Sequence, residues 1–303
     1  MPKYIQVLAV LVLLTATGCK DGSTQSAAMK PVDAGTTPDI MVSNAVETRA
    51  TLSSLAGQGV MRIVDTPNKF GLTVNANVVA DESDRLRIRG DKLAGAIQAF
   101  DVVMLGDDIG FYVPTQRTLY HGKVTDLRYF AFRFDPDEVL RQMLRPDTSL
   151  LLKRWEVVAG NNRDRSDNII LQERAPANRP RLELAISRRT GMIASITQLD
   201  AYGQPVLIKS YGDYRGLSRG RKSDPNAPVF PYLMTLSWPR DKRMMELHFK
   251  SVDGDAVVLD EDFELATSDD THYRPLVEAN LDDDFANEQT VSAAPMRSSE
   301  GPM

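Results

Sequence analysis

The stretch Leu72–Arg89, LTVNANVVADESDRLRIR, decides the fold class of this chain. Its first half places apolar residues at every second position, namely at Leu72, Val74, Ala76 and Val78. In its second half, Leu86 and Ile88 alternate with Arg85, Arg87 and Arg89. Alternation with a period of two is typical of a strand with one buried face. We therefore predict two strands here, with the arginines on a solvated face, opposite acids that pair with them.

Segments of similar character continue on both sides of this stretch, from Gly59 to Phe263. Turn signals separate them at intervals of about ten residues, which is typical of successive antiparallel hairpins. Examples are Asp107-Asp108, Tyr202-Gly203 and Asp253-Gly254. With 303 residues, 42% of them hydrophobic, the chain is long enough to bury a substantial core. We predict a mainly β fold with a few short helices.

Two segments interrupt the strand pattern and predict helices. The first is Asn44–Ala56, which ends before Gly57. The second begins at Asp135, a capping residue that is followed by Pro136 and Glu138. It carries Val139, Leu140, Met143 and Leu144 at helical spacing before Pro146 ends it. A helix this short is marginal alone, so we expect it to pack on the sheet and to cover an opening or an edge.

The first nineteen residues predict export and lipidation. A positive start at Lys3 precedes the apolar run Ile5–Ala16, which is too short to span a membrane. Small residues then lead to Cys19, the only cysteine of the chain. This arrangement resembles the lipobox of bacterial lipoproteins, in which that cysteine is acylated, and the alternative is a plain secretory signal. Lys20, not Asp, follows Cys19, and in Gram-negative lipoproteins this favours the outer membrane, facing the periplasm.

The boundaries of the folded part follow from composition. Residues 1–18 are predicted as a signal peptide, and residues 19–43, rich in small and polar residues, as the lipidated cysteine with a flexible linker. Residues 44–265 are predicted as one domain. Residues 266–303 contain two acidic runs and a polar end, and we predict a largely disordered acidic tail.

Composition and motifs exclude several classes of function. The formal net charge of -5 argues against nucleic-acid binding. No phosphate loop, nucleophile elbow or zinc-ligand spacing occurs. The three histidines, His121, His248 and His272, are predicted to be structural. We therefore expect no catalytic residues, no metal and no cofactor, and the protein is predicted not to be an enzyme.

One cationic cluster stands out in this acidic chain, in a segment rich in glycine and serine. It consists of Arg215, Arg219, Arg221 and Lys222. Contact with anionic lipid headgroups is one interpretation. The other is a solvated loop.

The order of several motifs resembles the LolA/LolB-like superfamily of periplasmic lipoprotein carriers and lipoprotein receptors. The motifs are LAGQG at 55–59, ESDRLR at 82–87, DDIGFYVP at 107–114, YHG at 120–122 and DY at 213–214. The resemblance covers about residues 45–265. It implies a curved antiparallel sheet, an unclosed half barrel whose apolar concave side is covered by helices. Neither the gating arginine of the carrier nor the exposed loop leucine of the receptor has a counterpart here.

An apolar hollow of this kind can hold acyl chains, so we expect a membrane-anchored protein that binds lipid or an acylated protein. The candidate residues of the hollow are Val60, Leu72, Val74, Val78, Leu86 and Ile88, with Leu140, Met143 and Leu144 from the predicted covering helix. Each of these residues is equally consistent with an ordinary core. The alternative function is a structural or assembly lipoprotein that binds protein partners in the envelope.

Overall fold

A computed structural model describes residues 29–67, 69–92, 95, 97–129, 145–158, 167–176, 178–217 and 227–278. In these residues, strands dominate and one α-helix, α1, spans Pro38–Thr48. The strands are β1 Ser54–Asp65, β2 Phe70–Asp81, β3 Arg85–Lys92, β4 Ile97–Leu105, β5 Asp108–Val113, β6 Thr118–Lys123, β7 Trp155–Val157, β8 Asn168–Glu173, β9 Arg181–Ser187, β10 Ile193–Leu199, β11 Pro205–Gly216, β12 Val229–Trp238, β13 Arg243–Gly254 and β14 His272–Pro275. Short 3-10 helices lie at Pro114–Gln116, Val124–Tyr129, Thr148–Leu152, Asp260–Phe263 and Leu276–Glu278.

All of these strands belong to one sheet, in the order β14-β6-β5-β4-β3-β2-β1-β13-β12-β11-β10-β9-β8-β7. Neighbours are antiparallel except β14 and β6, which run parallel. Strand β1 joins the two halves, since it pairs with β2 on one side and with β13 on the other. The sheet is curved, and among the described strands no pairing joins β14 to β7, so it is unclosed. The predicted succession of antiparallel hairpins is confirmed.

One face of the sheet, which we call the inner face, carries the core. The register aligns Met61 of β1 with Val74 of β2, and Val78 of β2 with Ile88 of β3. Directly paired residues lie on the same side of a sheet, so the alternating apolar residues of neighbouring strands form one continuous surface. Leu247 of β13 extends this surface on the other side of β1. The sequence period of two therefore placed β2 and β3 correctly.

Glycines and register shifts bend the strands at the centre of the sheet. A Cβ atom on Gly59 would lie 2.3 Å from the carbonyl oxygen of His248, so no larger residue fits where β1 meets β13. The register of this pair shifts between Gln58 and Gly59. A second shift lies at Gly90 between β3 and β4, where a Cβ atom would meet the Phe100 ring. Bulges of this kind bend a strand and increase its twist, which favours a curved sheet.

The helix α1 packs against β7, β9, β10 and the 3-10 helix Thr148–Leu152. Pro38 starts it, and its buried side is formed by Met41, Val42, Ala45 and Val46. The predicted helix Asn44–Ala56 was therefore wrong in its bounds, because Ser54 and the residues after it pair with β2. Helix α1 also begins inside the segment 19–43 that was predicted as a linker. The second predicted helix lies outside the described residues, apart from its last two positions. Within the described ranges, α1 is the one α-helix that covers the sheet, so covering by helices has little support.

A C-terminal segment, residues 256–276, crosses the outer face of the sheet, and we call it the strap. Phe263 of the strap is buried, and the carbon of the Arg85 guanidinium lies 4.4 Å from the centroid of its ring. Leu265 lies over Gly110, where a Cβ atom would approach it to 2.8 Å. The strap ends as β14 at the edge of the sheet. Residues 272–278, predicted as part of a disordered tail, therefore form β14 and the 3-10 helix that follows it.

Candidate ligand-binding face

Five of the predicted hollow residues lie together on the inner face. They are Leu72, Val74, Val78, Leu86 and Ile88, and all belong to one hydrophobic cluster. Each exposes at most 5% of its surface. In the structure this part of the inner face is therefore a packed core, and a ligand would have to enter by separating side chains.

Val60 was placed on the wrong face. It pairs with Asn75, whereas its neighbours Gly59 and Met61 pair with Ala76 and Val74 on the inner face. Since the side chains of a strand alternate between faces, Val60 points to the outer side, where it is half-buried. The inward positions of β1 include Gly57 and Gly59, and glycine gives no apolar signal in the sequence.

Aromatic and methionine side chains extend the apolar surface beyond β1–β3. Phe100 and Phe111 stack with ring centroids 6.0 Å apart, and Phe230 meets Phe249 edge-on at 5.7 Å. The buried methionines of the same cluster are Met41, Met61, Met104, Met234 and Met245. Methionine is unbranched and adapts to irregular shapes. An inner face rich in such side chains can rearrange at a lower cost than one built from branched residues.

Two cations interrupt this apolar surface. Lys209 of β11 is only 6% exposed, and it pairs with Leu236 of β12 and Ile196 of β10. Arg49, just after α1, is 9% exposed, and its guanidinium carbon lies 5.1 Å from the centroid of the Tyr211 ring. Nearby, the hydroxyl of Tyr214 donates to the carbonyl of Ile193 at 2.8 Å, and burial raises the pKa of this phenol. Sequence reasoning missed both cations, although Lys209 and Tyr211 share the parity of an inward face.

The outer face of β3 and its neighbours carries ion pairs, as the sequence predicts. Arg85 binds Asp81, Arg87 binds Asp101, and Arg89 binds Asp91. The Arg87–Asp101 pair is bidentate, at 3.0 and 2.7 Å. Burial raises the pKa of the Asp101 carboxyl, against the lowering effect of Arg87. The expected solvated stripe is thus partly covered by the strap.

The strap adds contacts of its own to this stripe. Arg85 Nη1 donates to Asp260 at 2.6 Å, and Arg87 Nη1 donates to the Asp262 carbonyl at 3.0 Å. Hydrogen bonds to Asp81 and then Asp260 raise the pKa of Arg85, and the bond to Asp101 raises that of Arg87. The contacts between the strap and the outer face are therefore partly polar, beside the apolar contacts of Phe263 and Leu265.

Of the predicted headgroup contacts, the structure describes only Arg215. Its Nε and Nη2 atoms donate to Asp213 at 3.0 and 2.6 Å, and its guanidinium carbon lies 4.3 Å from the centroid of the Tyr232 ring. This arginine is held by the protein itself. Arg219, Arg221 and Lys222 lie outside the described residues, as do Cys19 and the covering residues Leu140, Met143 and Leu144.

A polar cavity of about 430 Å³ lies between α1 and the β9–β10 turn, and Met41 of the apolar cluster forms part of its lining. Its lining includes Lys30, Asp33, Asn44, Glu47 and Thr190. Within the part of the chain that the structure describes, no group of acidic, histidine or cysteine residues is arranged to hold a metal ion. No helix among those same residues is long and apolar enough to cross a membrane.

No protein-family model matches the chain, and no curated protein matches it. Its fold is similar to that of several solved structures. A putative outer membrane lipoprotein-sorting protein domain from Vibrio parahaemolyticus is 10% identical, with a TM-score of 0.47 over 74% of this chain and 95% of that one. A DUF1329 family protein from Desulfovibrio piger is 13% identical, with a TM-score of 0.49 over 75% and 95%.

A LolA superfamily protein from Nitrosomonas europaea is 11% identical, with a TM-score of 0.46 over 76% of this chain and 98% of that one. The chain thus has a remote structural resemblance to LolA-like proteins, in agreement with the order of the sequence motifs. At these identities and TM-scores the likeness concerns the fold and says nothing about what this chain binds.

Proposed function

We propose that the protein is an envelope lipoprotein, anchored through acyl chains on Cys19, that holds a lipid or the acyl chains of another molecule on its inner face. It performs no catalysis in this role. One observation carries the proposal: a single apolar cluster runs along the inner face across both halves of the sheet, while one helix of 11 residues packs against the β7–β10 end. An acyl chain would lie between such side chains, in contact with Leu72, Val74 and Ile88.

The composition of the inner face supports this role. Apolar burial is not directional, so flexible methionines and aromatic rings can close against each other when the site is empty and against an acyl chain when it is filled. The buried cations Arg49 and Lys209 are unusual in a core, because charged side chains are seldom fully buried. They distinguish the β11 region from an ordinary packing surface.

A carbene-labelling experiment tests the proposal on the full chain, purified from bacterial membranes. The protein is equilibrated with a fatty acid that bears a diazirine on its chain, irradiated, digested and mapped by mass spectrometry. We expect labels on inner-face residues such as Met61 and Val74. The adjacent outer-face residues Arg62 and Thr73 are the matched control, because they lie on the same strands. The peptide that begins at Cys19 should carry acyl chains in the same digest.

Two results would contradict the proposal. Labels spread equally over Met61 and Arg62 would mean adsorption without a site. An unmodified Cys19 would remove the anchor. The first of these results would favour the second candidate function, that of an assembly lipoprotein that binds protein partners. One observation favours that candidate: apolar side chains are exposed beside the edge strand β7, with Leu152 at 88%, Val157 at 53% and Leu151 at 43% exposure.

A further inference from the structure

Arg49 is held in place by neighbours on three sides. It directly follows α1, and it forms an isolated bridge with Val229 of β12. The next residue, Ala50, donates its N–H to the Val229 carbonyl at 2.8 Å. The guanidinium stacks on the Tyr211 ring of β11. The backbone and the ring together fix where this side chain can point.

Part of the hydrogen-bonding capacity of Arg49 is not used. Its Nε and Nη2 atoms are buried, and neither has a hydrogen-bond partner in the structure as described. No carboxylate among the described residues forms an ion pair with this guanidinium. Buried polar groups are nearly always paired, and an unpaired charged donor is strongly unfavourable. The stacked Tyr211 ring compensates the charge in part through its π face, but it accepts no hydrogen bond in the plane of the guanidinium.

The two unpaired nitrogens belong to the same side of the planar group. Nε–H and one N–H of Nη2 point in the same direction, and arginine uses this geometry to hold a carboxylate or a phosphate through two parallel hydrogen bonds. A single missing bond would suit many partners. Two parallel N–H groups, both without an acceptor, suit a planar or tetrahedral oxyanion.

The surroundings of this pair fit an amphiphile better than a free ion. Tyr211 aligns with Met234 in the inner-face cluster. Lys209, two residues before Tyr211 on β11, is buried on the same side of the strand. An oxyanion bound at Arg49 would therefore have an apolar surface directly beside it.

We propose that Arg49 binds the anionic head, a carboxylate or a phosphate, of an amphiphile whose acyl chain lies on the inner face. This inference rests on the proposed function, since it names the class of ligand for the same face. The head must reach a buried side chain, so binding requires rotation of the side chains packed around Arg49.

The test compares ligands that share one chain and differ in their heads. Dodecanoate, dodecyl phosphate and dodecanol are titrated into the purified full chain by isothermal titration calorimetry, with acetate and inorganic phosphate as chainless controls. We expect both anionic probes to bind at least about tenfold more tightly than dodecanol. The Arg49→Met variant should lose this preference and bind dodecanol as the wild type does. The Arg49→Lys variant keeps the charge without the paired N–H groups, and it should retain only part of the preference.

The outcomes separate this inference from the proposed function. Equal binding of dodecanoate and dodecanol by the wild type would overturn the role of Arg49 and leave acyl binding intact. No binding of any dodecyl probe would overturn both. Binding of inorganic phosphate as tight as that of dodecyl phosphate would make the site one for free anions. If Arg49→Met does not fold, as judged by its circular dichroism, the Arg49→Lys comparison decides, and an unchanged preference in that variant would contradict the paired geometry.

Discussion

The two faces of strand β3 differ in how they are held. On the inner face, Leu86 and Ile88 are fully enclosed by apolar side chains. On the outer face, Arg85 and Arg87 are also largely covered, but by ion pairs and by the strap. Apolar contacts tolerate changes of partner because they have no direction, whereas paired charges require fixed geometry. The comparison suggests that the outer face keeps the strands in register while the inner face is free to exchange its contacts.

The largest expected effect on stability comes from removing a large side chain from the inner face. Phe249 is 1% exposed, and its ring packs against Phe230. Phe249→Ala should lower the free energy of unfolding by about 4 kcal/mol, through lost burial and the cavity left behind. Denaturation with urea, followed by circular dichroism, measures this change. The next residue, Lys250, is exposed, and Lys250→Ala should change the stability by less than about 0.5 kcal/mol. Similar losses in both variants would mean that the two faces do not differ as described.

An intermediate effect is expected on the outer face, at the Arg87–Asp101 pair. Asp101 is buried, with only 1% of its side chain exposed. Asp101→Ala leaves Arg87 partly buried without its carboxylate, and it should cost about 3 kcal/mol of stability. Replacing both residues by apolar ones, Arg87→Met with Asp101→Leu, should cost less than the single change. The same urea denaturation gives all values. A double variant less stable than Asp101→Ala would show that the ion pair itself adds to the free energy of unfolding, beyond keeping the strands in register.

The sequence predicts the sheet better than it predicts the site. In Leu72–Ile88 the alternation of residues predicts which side chains lie on each face, because one face is apolar and the other is polar or charged. The inner face of strand β1 includes Gly57 and Gly59, which give no apolar signal in the sequence, and for this reason Val60 was misplaced. The strap gives no apolar period, since it is held by Phe263, Leu265 and a few polar contacts that depend on residues distant in the chain. Arg49 carries no signal of its own, because its burial arises only when β11 and β12 pack beside it.

The smallest expected effect concerns Asp213, where β11 meets the outer side of β13 near His248. Hydrogen bonds from Arg215 are the main cause that lowers the pKa of the Asp213 carboxyl, with a smaller contribution from His248. A carboxyl whose folded-state pKa is depressed contributes stability above its ordinary pKa of about 3.9, and this contribution is lost as the pH falls through the folded-state value. Asp213→Asn should therefore lower the Tm by about 2 °C at pH 7, and the difference should shrink below about pH 4.

The backbone conformation at residue 213 allows this substitution to test the charge alone. Asp213 adopts a left-handed conformation, with a φ of 48°, and asparagine tolerates that region as well as aspartate does. Asp84 has a φ of 57° and no side-chain ion pair with a described residue, so Asp84→Asn is the matched control, with the same Tm as the wild type at both pH values. If the Asp213→Asn difference persisted unchanged at pH 3, its cause would be packing instead of charge. Packing would then stabilise the outer face here, as it stabilises the inner face. The proposed difference, ion pairs on one face and apolar contacts on the other, would not hold at this end of the sheet.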